Sequence, residues 1–441
     1  MYKPVIGLEV HVELTTQSKM FCGCSANHFS EKPNTNTCPV CLGLPGALPF
    51  ANRTAIESTI AFGLAFNCTI ATFSKFDRKH YFYPDLPKAF QTSQYDLPFC
   101  EKGSWYNGAK TVRITRIHLE EDTAKSIHKM LNGKPATLID FNRSGVPLME
   151  LVTEPEFDNT DDMIAFLKEV QIVVRYLGIS DADMEKGSMR LEANVSVADE
   201  SEQKEGRLPD YKIELKNINS FRFLKRAVDI EIARHTELRK SGETIPQETR
   251  GYDEAKDTTF SQRSKEDAQD YRYFPEPDLP PVRLSKSEIA HIKNSMPELP
   301  SEKRTRFKSV YGISDLYIEV LTADASFADY YEEAMKLDAK YNLGAKSVAS
   351  AIVNTKLHEK YPEPAGMIKK LVELTKVDFA SRADTEMAVN AVIEQNEKAV
   401  VDYKSGNTNV VGFLIGQVQK ELKGKGDVGV VRKKLVEKLE A

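Results

Sequence analysis

The chain has 441 residues, 41% hydrophobic and 28% charged, the composition of an ordinary globular protein and not of a disordered one. It contains no run of about 18 apolar residues, which argues against a membrane-spanning helix. Its 60 Lys and Arg against 65 Asp and Glu give a net charge of −5. That balance is unlike a protein that coats DNA or RNA, so any RNA contact falls to a local patch.

Strand-like alternation begins at Val5, leaving no room for a leader, and a cytoplasmic protein is expected. Over residues 5–14, Ile6, Leu8, Val10, Val12 and Leu14 share one face, and Glu9, His11 and Glu13 the other. Two close cysteine pairs follow, Cys22 with Cys24 and Cys38 with Cys41. In a cytosolic chain such a cluster suits metal better than disulfides. Four sulfurs leave no open position, so the metal expected is structural zinc, against four reduced cysteines in a mobile loop. Cys68 and Cys100 read as buried thiols.

The segment 77–85 (Asp-Arg-Lys-His-Tyr-Phe-Tyr-Pro-Asp) mixes cations with aromatics, as does 271–278 (Tyr-Arg-Tyr-Phe-Pro-Glu-Pro-Asp). Either binds phosphates and bases or packs on its own rings. After an apolar stretch come Glu120, Glu121 and Asp122, and Glu150 lies inside Pro-Leu-Met-Glu-Leu, on the face away from Met149 and Leu151. A buried acid requires pairing or a metal. Carboxylates converging from separate strands suit Mg²⁺, and the pattern alone leaves surface acids as the other reading.

A helix capped by Thr160 is expected to run to Leu177 and stop at Gly178, and another from Phe221 to about Gly242. Between them, residues 189–197 alternate, with Arg190, Glu192, Asn194 and Ser196 opposite the apolar set. In 211–216, Lys212, Glu214 and Lys216 oppose Tyr211, Ile213 and Leu215. Such one-faced strands suit antiparallel sheets. Beyond about residue 290 the pattern turns helical, with helices expected over 326–340, 345–360, 365–375, 384–404, 410–423 and 427–439. The expected fold is therefore α+β: an antiparallel-sheet domain over 1–290, a helical domain over 291–375 and a helical tail over 376–441. From Lys404 onward eight Lys and Arg meet four Asp and Glu, the best local basic patch. Walker A and Rossmann glycine patterns are absent, as is an amidase-like serine–lysine segment.

Several long motifs, in one order, resemble the B subunit of aspartyl/glutamyl-tRNA amidotransferases. They are Val-Ile-Gly-Leu-Glu-Val-His-Val-Glu-Leu at 5–14, Lys-Phe-Asp-Arg-Lys-His-Tyr-Phe-Tyr-Pro-Asp at 75–85 and His-Leu-Glu-Glu-Asp at 118–122. The others are Asp-Phe-Asn-Arg-Ser-Gly-Val-Pro-Leu-Met-Glu at 140–150, Glu-Leu-Lys-Asn-Ile-Asn-Ser-Phe at 214–221 and Asp-Tyr-Arg-Tyr-Phe-Pro-Glu-Pro-Asp at 270–278. The resemblance implies a cradle domain related to glutamine synthetase and guanido kinases, followed by the helical and tail domains. It implies a heterotrimer with an amidase A subunit and a small C subunit, acting on Glu-tRNA(Gln) or Asp-tRNA(Asn). The activity implied is that of a glutamine-hydrolysing carbon–nitrogen ligase. ATP activates the side-chain carboxylate by phosphorylation, and ammonia channelled from the A subunit then displaces phosphate.

On this resemblance magnesium is held at His11, Glu121 and Glu150, with Glu9 and Glu120 nearby, and these residues with Lys79 carry the catalysis. Lys79 and Glu121 line the ammonia entry, and Arg190 and Lys216 neutralise phosphate. The four cysteines match the zinc-bearing branch. The sequence departs at Leu191-Glu192, where Cys-Asp is expected, at Gln419, where Met is expected, and in a short join between Leu374 and Ala383 that shortens the tail. The alternative function is a non-catalytic, zinc-containing tRNA-binding scaffold.

Overall fold

The computed structural model describes residues 2–264, 271–375 and 380–440. The chain forms two compact units. One comprises Met1–Arg306 with Thr322–Ala325, the other Phe307–Leu321 with Ser326–Ala441. Asp270 of the 270–278 motif and part of the short join after Leu374 lie outside the described residues.

Among the described residues, nine strands build the main sheet of the first unit. Their spatial order is Thr258–Ser264, Glu248–Asp253, Ile213–Ile218, Met189–Ala198, Lys3–Glu13, Pro147–Thr153, Thr111–Glu121, Cys100–Tyr106 and Thr69–Ile70. Neighbours run antiparallel except Ile213–Ile218 beside Glu248–Asp253. That parallel pair is joined through the helix Phe221–Ser241, since a parallel connection needs a crossover.

One face of the sheet is the core. Ile6, Leu8, Val10 and Val12 meet Met149, Leu151, Met189, Leu191, Ala193 and Val195, with Phe62, Phe166, Val170 and Leu224 from the helices Arg53–Ala65, Thr160–Tyr176 and Phe221–Ser241. Each such large side chain, fully buried, contributes about 1.5–3 kcal/mol. The alternation expected for the central strand therefore sends its odd positions to the opposite face. In Thr111–Glu121 the core side changes parity, from Val112 and Ile114 to Ile117 and Leu119, at a bulge opposite Val152 and Thr153. This shift turns His118 and Glu120 onto the same face as Glu150.

One expected cap is corrected. Thr160 is the first helical residue, and Asn159 caps the helix, its side chain accepting from Asp162 N at 2.8 Å. Thr160 donates instead to Asp229 at 2.9 Å. The helix ends at Tyr176 before Gly178, whose φ is +66°.

In the second unit one core gathers Phe307, Leu321, Tyr331, Val348, Ile352 and Met367, and another Val389, Val392, Leu414, Val431 and Leu435. Two helices expected as continuous are broken. Residues 345–360 form Ala345–Val353 and Leu357–Lys360, separated at Lys356 with φ +50°. Residues 384–404 form Arg382–Gln395 and Glu397–Lys404, separated by Asn396, whose amide donates to Val392 O at 2.8 Å. The helix Lys286–Ser295 adds to the expected set; Ser285 and Glu288 cap it reciprocally. The fold is α+β, an antiparallel-dominated sheet followed by helices. Among the described residues no helix is long and apolar enough to cross a membrane.

Candidate functional site

Register creates a row of side chains across the polar face. Arg190 lies opposite His11, His11 opposite Glu150, and Glu150 opposite His118, on four neighbouring strands. His11 Nε2 stands 3.3 Å from Glu150 and 3.8 Å from Glu120. His118 Nε2 approaches the same carboxylates at 3.1 and 3.8 Å. His11, Glu120 and Glu150 present ligand atoms within 4.8 Å of one another. Two hard carboxylates with one imidazole can hold a small divalent cation and leave positions for water and phosphate.

The electrostatics are those of a mutually paired cluster. Burial opposes ionisation of Glu150, but His118 and His11 outweigh it and hold the carboxyl well below its usual range. Burial likewise opposes the charge on His11, and Glu150, Glu192 and Glu120 overcome it, raising its pKa to about 9. Lys79, on the short strand Asp77–His80, is half-buried beside this cluster. Burial works against its charge, yet Glu120, Tyr273, Glu150 and Tyr271 raise its pKa above that of an ordinary lysine. Its ammonium lies 5.1 Å from the Tyr271 ring centre.

A second acidic set adjoins the first. Glu9, Glu192 and Glu214 bring carboxylate oxygens within 4.8 Å of one another. Burial, Glu150 and Glu192 raise the pKa of Glu9, while Asn194 donates to it at 2.9 Å. Lys216 bridges Glu192 and Glu214 at 2.9 and 3.2 Å.

The remaining expected residues are engaged elsewhere. Glu121 turns the opposite way from Glu120, where its carboxylate receives Lys88 and the Thr92 N–H at 2.9 Å. Arg190 donates to Asp122 and lies 3.7 Å from Glu13. Asp122 is buried, which opposes its charge, but Arg190 and Arg143 keep it strongly acidic.

The four cysteines come together on loops beside this face. Cys22, Cys24, Cys38 and Cys41 place their sulfurs within 4.8 Å of one another, and Cys38 and Cys41 are 3.8 Å apart. A tetrahedral zinc–thiolate centre with bonds of about 2.3 Å requires edges of about 3.8 Å. Donor type and spacing therefore fit a structural metal. The thiols are also unequal. Hydrogen bonding from Cys22 and the Cys38 N–H, with Lys19 nearby and against burial, holds Cys41 down to about 5. Burial and Cys38 push Cys24 up to about 11. Cys68 and Cys100 are buried, away from this group. The cation–aromatic segments pack on each other, with His80 and Phe274 stacked at 5.1 Å and Arg78 paired to Glu276 at 2.7 Å.

Sequence reasoning misses His118 as a member of the row. Its signal is the two-residue spacing from Glu120 on one strand. Lys88 and Lys19 carry no sequence signal.

The sheet unit with its acid–imidazole row is a catalytic-domain architecture: residues 4–290 match the family described as GatB/GatE catalytic domain, and residues 330–439 match the GatB domain. The chain is 41% identical to the B subunit of the aspartyl/glutamyl-tRNA(Asn/Gln) amidotransferase of Carboxydothermus hydrogenoformans over 99% of both chains. It is 42% identical to the B subunit from Thermodesulfovibrio yellowstonii over 98% of both. With that of Dehalococcoides mccartyi it shares 42% identity over 100% of this chain and 99% of the relative. The chain belongs to the GatB family. The last alignment spans 491 positions, more than the 441 residues of this chain, so the relative carries segments absent here.

Proposed function

We propose that this chain activates the side-chain carboxylate of Glu-tRNA(Gln) or Asp-tRNA(Asn) with ATP and amidates it with ammonia, in a complex with a glutaminase A subunit and a small C subunit. The observation that carries this reading is the convergence of His11, Glu120 and Glu150 on the polar sheet face, beside the half-buried Lys79, in a chain of this family. A carboxylate is a poor electrophile and its acyl phosphate a good one. Phosphoryl transfer asks mainly for positioning and charge neutralisation.

In this proposal Mg²⁺, bound by His11, Glu120 and Glu150, supplies that neutralisation. The assignment moves the third ligand from Glu121 to Glu120, because the Glu121 carboxylate is occupied by Lys88. Lys79 contributes a second fixed positive charge, and Lys79 and Glu121 border the path by which ammonia enters. Arg190 and Lys216 are each balanced by carboxylates, so their neutralising phosphate entails an exchange of partners. Zinc at the four cysteines is structural, and the tail over 376–441 contacts the tRNA.

The test supplies the co-purified complex with Glu-tRNA(Gln), or in parallel Asp-tRNA(Asn), together with ATP, Mg²⁺ and ammonium, which bypasses the glutaminase. Amide formation on the tRNA is expected to require ATP and to fall by about 10²–10³ in Glu150→Gln. A folded, tRNA-binding complex that forms no product on either tRNA overturns the proposal.

A further inference from the structure

We propose that Lys19 is the fixed counter-cation of the thiolate cluster, and that it ties metal loading to the turn leading into the Glu150 strand. Lys19 is only 1% exposed. Its ammonium donates to Asn36 O at 2.8 Å, to Phe141 O at 3.3 Å and to Cys41 Sγ at 3.7 Å. Among the described residues no carboxylate pairs with it. An ammonium has three donors, and here two meet neutral carbonyls and the third a sulfur. A buried charge compensated only by dipoles is costly. The arrangement becomes favourable when the sulfur belongs to an anion. Four thiolates around one dication carry a net charge of two minus, and Lys19 balances half of it. Cys41 is the sulfur that takes this charge, and it also receives the Cys38 N–H at 3.1 Å.

The contact to Phe141 gives Lys19 a positioning role. The metal loop and the 141–145 turn are further joined by Asn36 N donating to Asn142 at 2.8 Å, Ser144 Oγ donating to Cys41 O at 3.3 Å and Met20 N donating to Gly145 O at 2.7 Å. Arg143 in this turn reaches Asp122 at 3.6 Å, and Asp122 receives Arg190. With the cluster metallated, Lys19 is compensated and the turn held.

The inference rests on the zinc reading of the four cysteines, and the test separates the two. The full chain is compared with Lys19→Met and Lys19→Gln. Gln removes the charge and keeps two N–H donors on a side chain one bond shorter. The readouts are zinc affinity by chelator competition, the thiolate-to-metal charge-transfer band of the Co²⁺-substituted protein, and stability to denaturant with and without zinc. Both variants are expected to bind zinc about 10–100-fold more weakly and to shift the band. Both should cost more stability with zinc than without it, whereas a purely structural lysine would cost the same in either state. Should one variant fail to fold, the other decides. An unmodified chain that binds no zinc overturns the zinc reading. An unmodified chain that binds zinc, with Lys19→Gln matching it in affinity and band, overturns the role of Lys19 alone.

Discussion

The two ligand clusters of the first unit are built on opposite kinds of backbone. His11, Glu120 and Glu150 stand on three neighbouring strands whose ladder positions them and whose reverse face is a continuous core. The four cysteines stand on turns, held by a few hydrogen bonds to the 140–145 segment and by His28, which meets Glu13 at 2.9 Å. The sheet supplies the geometry of the first cluster before any ligand arrives. Met20 and Phe21 root the start of the second in the core, but little apolar burial orders residues 27–40, so a bound metal would contribute to the folding of that stretch. On the proposed function, one metal would be a reactant placed on a finished scaffold, and the other part of the scaffold.

The largest expected effect tests that difference directly. Stripping metal from the cysteines should release hydrogen-exchange protection across 20–50 and 140–146 while leaving the strands 3–13 and 189–198 protected. Apparent zinc binding energies of about 10–16 kcal/mol make this the dominant local contribution. Removing Mg²⁺ should leave exchange at every strand unchanged. Equal responses to both metals would break the comparison.

A smaller effect comes from pH. The pKa of His11 is raised to about 9, so its pairing with Glu150 is fully present below about 6.5 and fades as pH rises toward 9. Glu150 is depressed, so its contribution is present above about 4.5 and is lost on acidification. Between those limits the metal-free row is self-paired, and a metal must displace the His11 proton. Magnesium affinity, measured by titration calorimetry, should therefore climb by up to about tenfold per unit between pH 6.5 and 9. A flat profile would remove His11 from the ligand set.

What is legible in the sequence follows the same division. Period two across the central strand, 147–151 and 189–197 separates core from polar face because one face is apolar throughout, and Glu9, His11, Glu150 and Arg190 fall where alternation puts them. His118, and the placement of Glu120 rather than Glu121 beside Glu150, escape because a bulge resets the parity of Thr111–Glu121, and a bulge leaves no mark in composition. Thr160 and Asn159 are both good caps, so the helix start is ambiguous by one residue. The breaks at Lys356 and Asn396 lack Gly or Pro punctuation. The cysteine spacing announces its cluster, but nothing around Lys19 foretells a buried ammonium, because its acceptors come from residues 36, 41 and 141.

The smallest expected effect sits where the two regions meet. Gly145 has φ +88°, its N–H donates to Asp122 O at 2.9 Å and its carbonyl accepts from Met20 N at 2.7 Å. A methyl group there would lie 3.5 Å from Cys41 Cβ and from Lys19 Cδ, ordinary contact, so space is not the constraint. The constraint is the left-handed backbone, which costs a residue bearing Cβ about 1–2 kcal/mol. Gly145→Ala should lower global stability by about that amount in a denaturant titration. Because the turn touches the cysteine loop through Met20 and the polar sheet face through Asp122, zinc and magnesium affinities report where the strain goes. The cysteine loop has less packing to resist displacement, so zinc affinity should fall while magnesium affinity holds. The reverse outcome would mean that the turn is anchored by the loop and that the sheet end yields, with the thiolate cluster then the stiffer of the two regions.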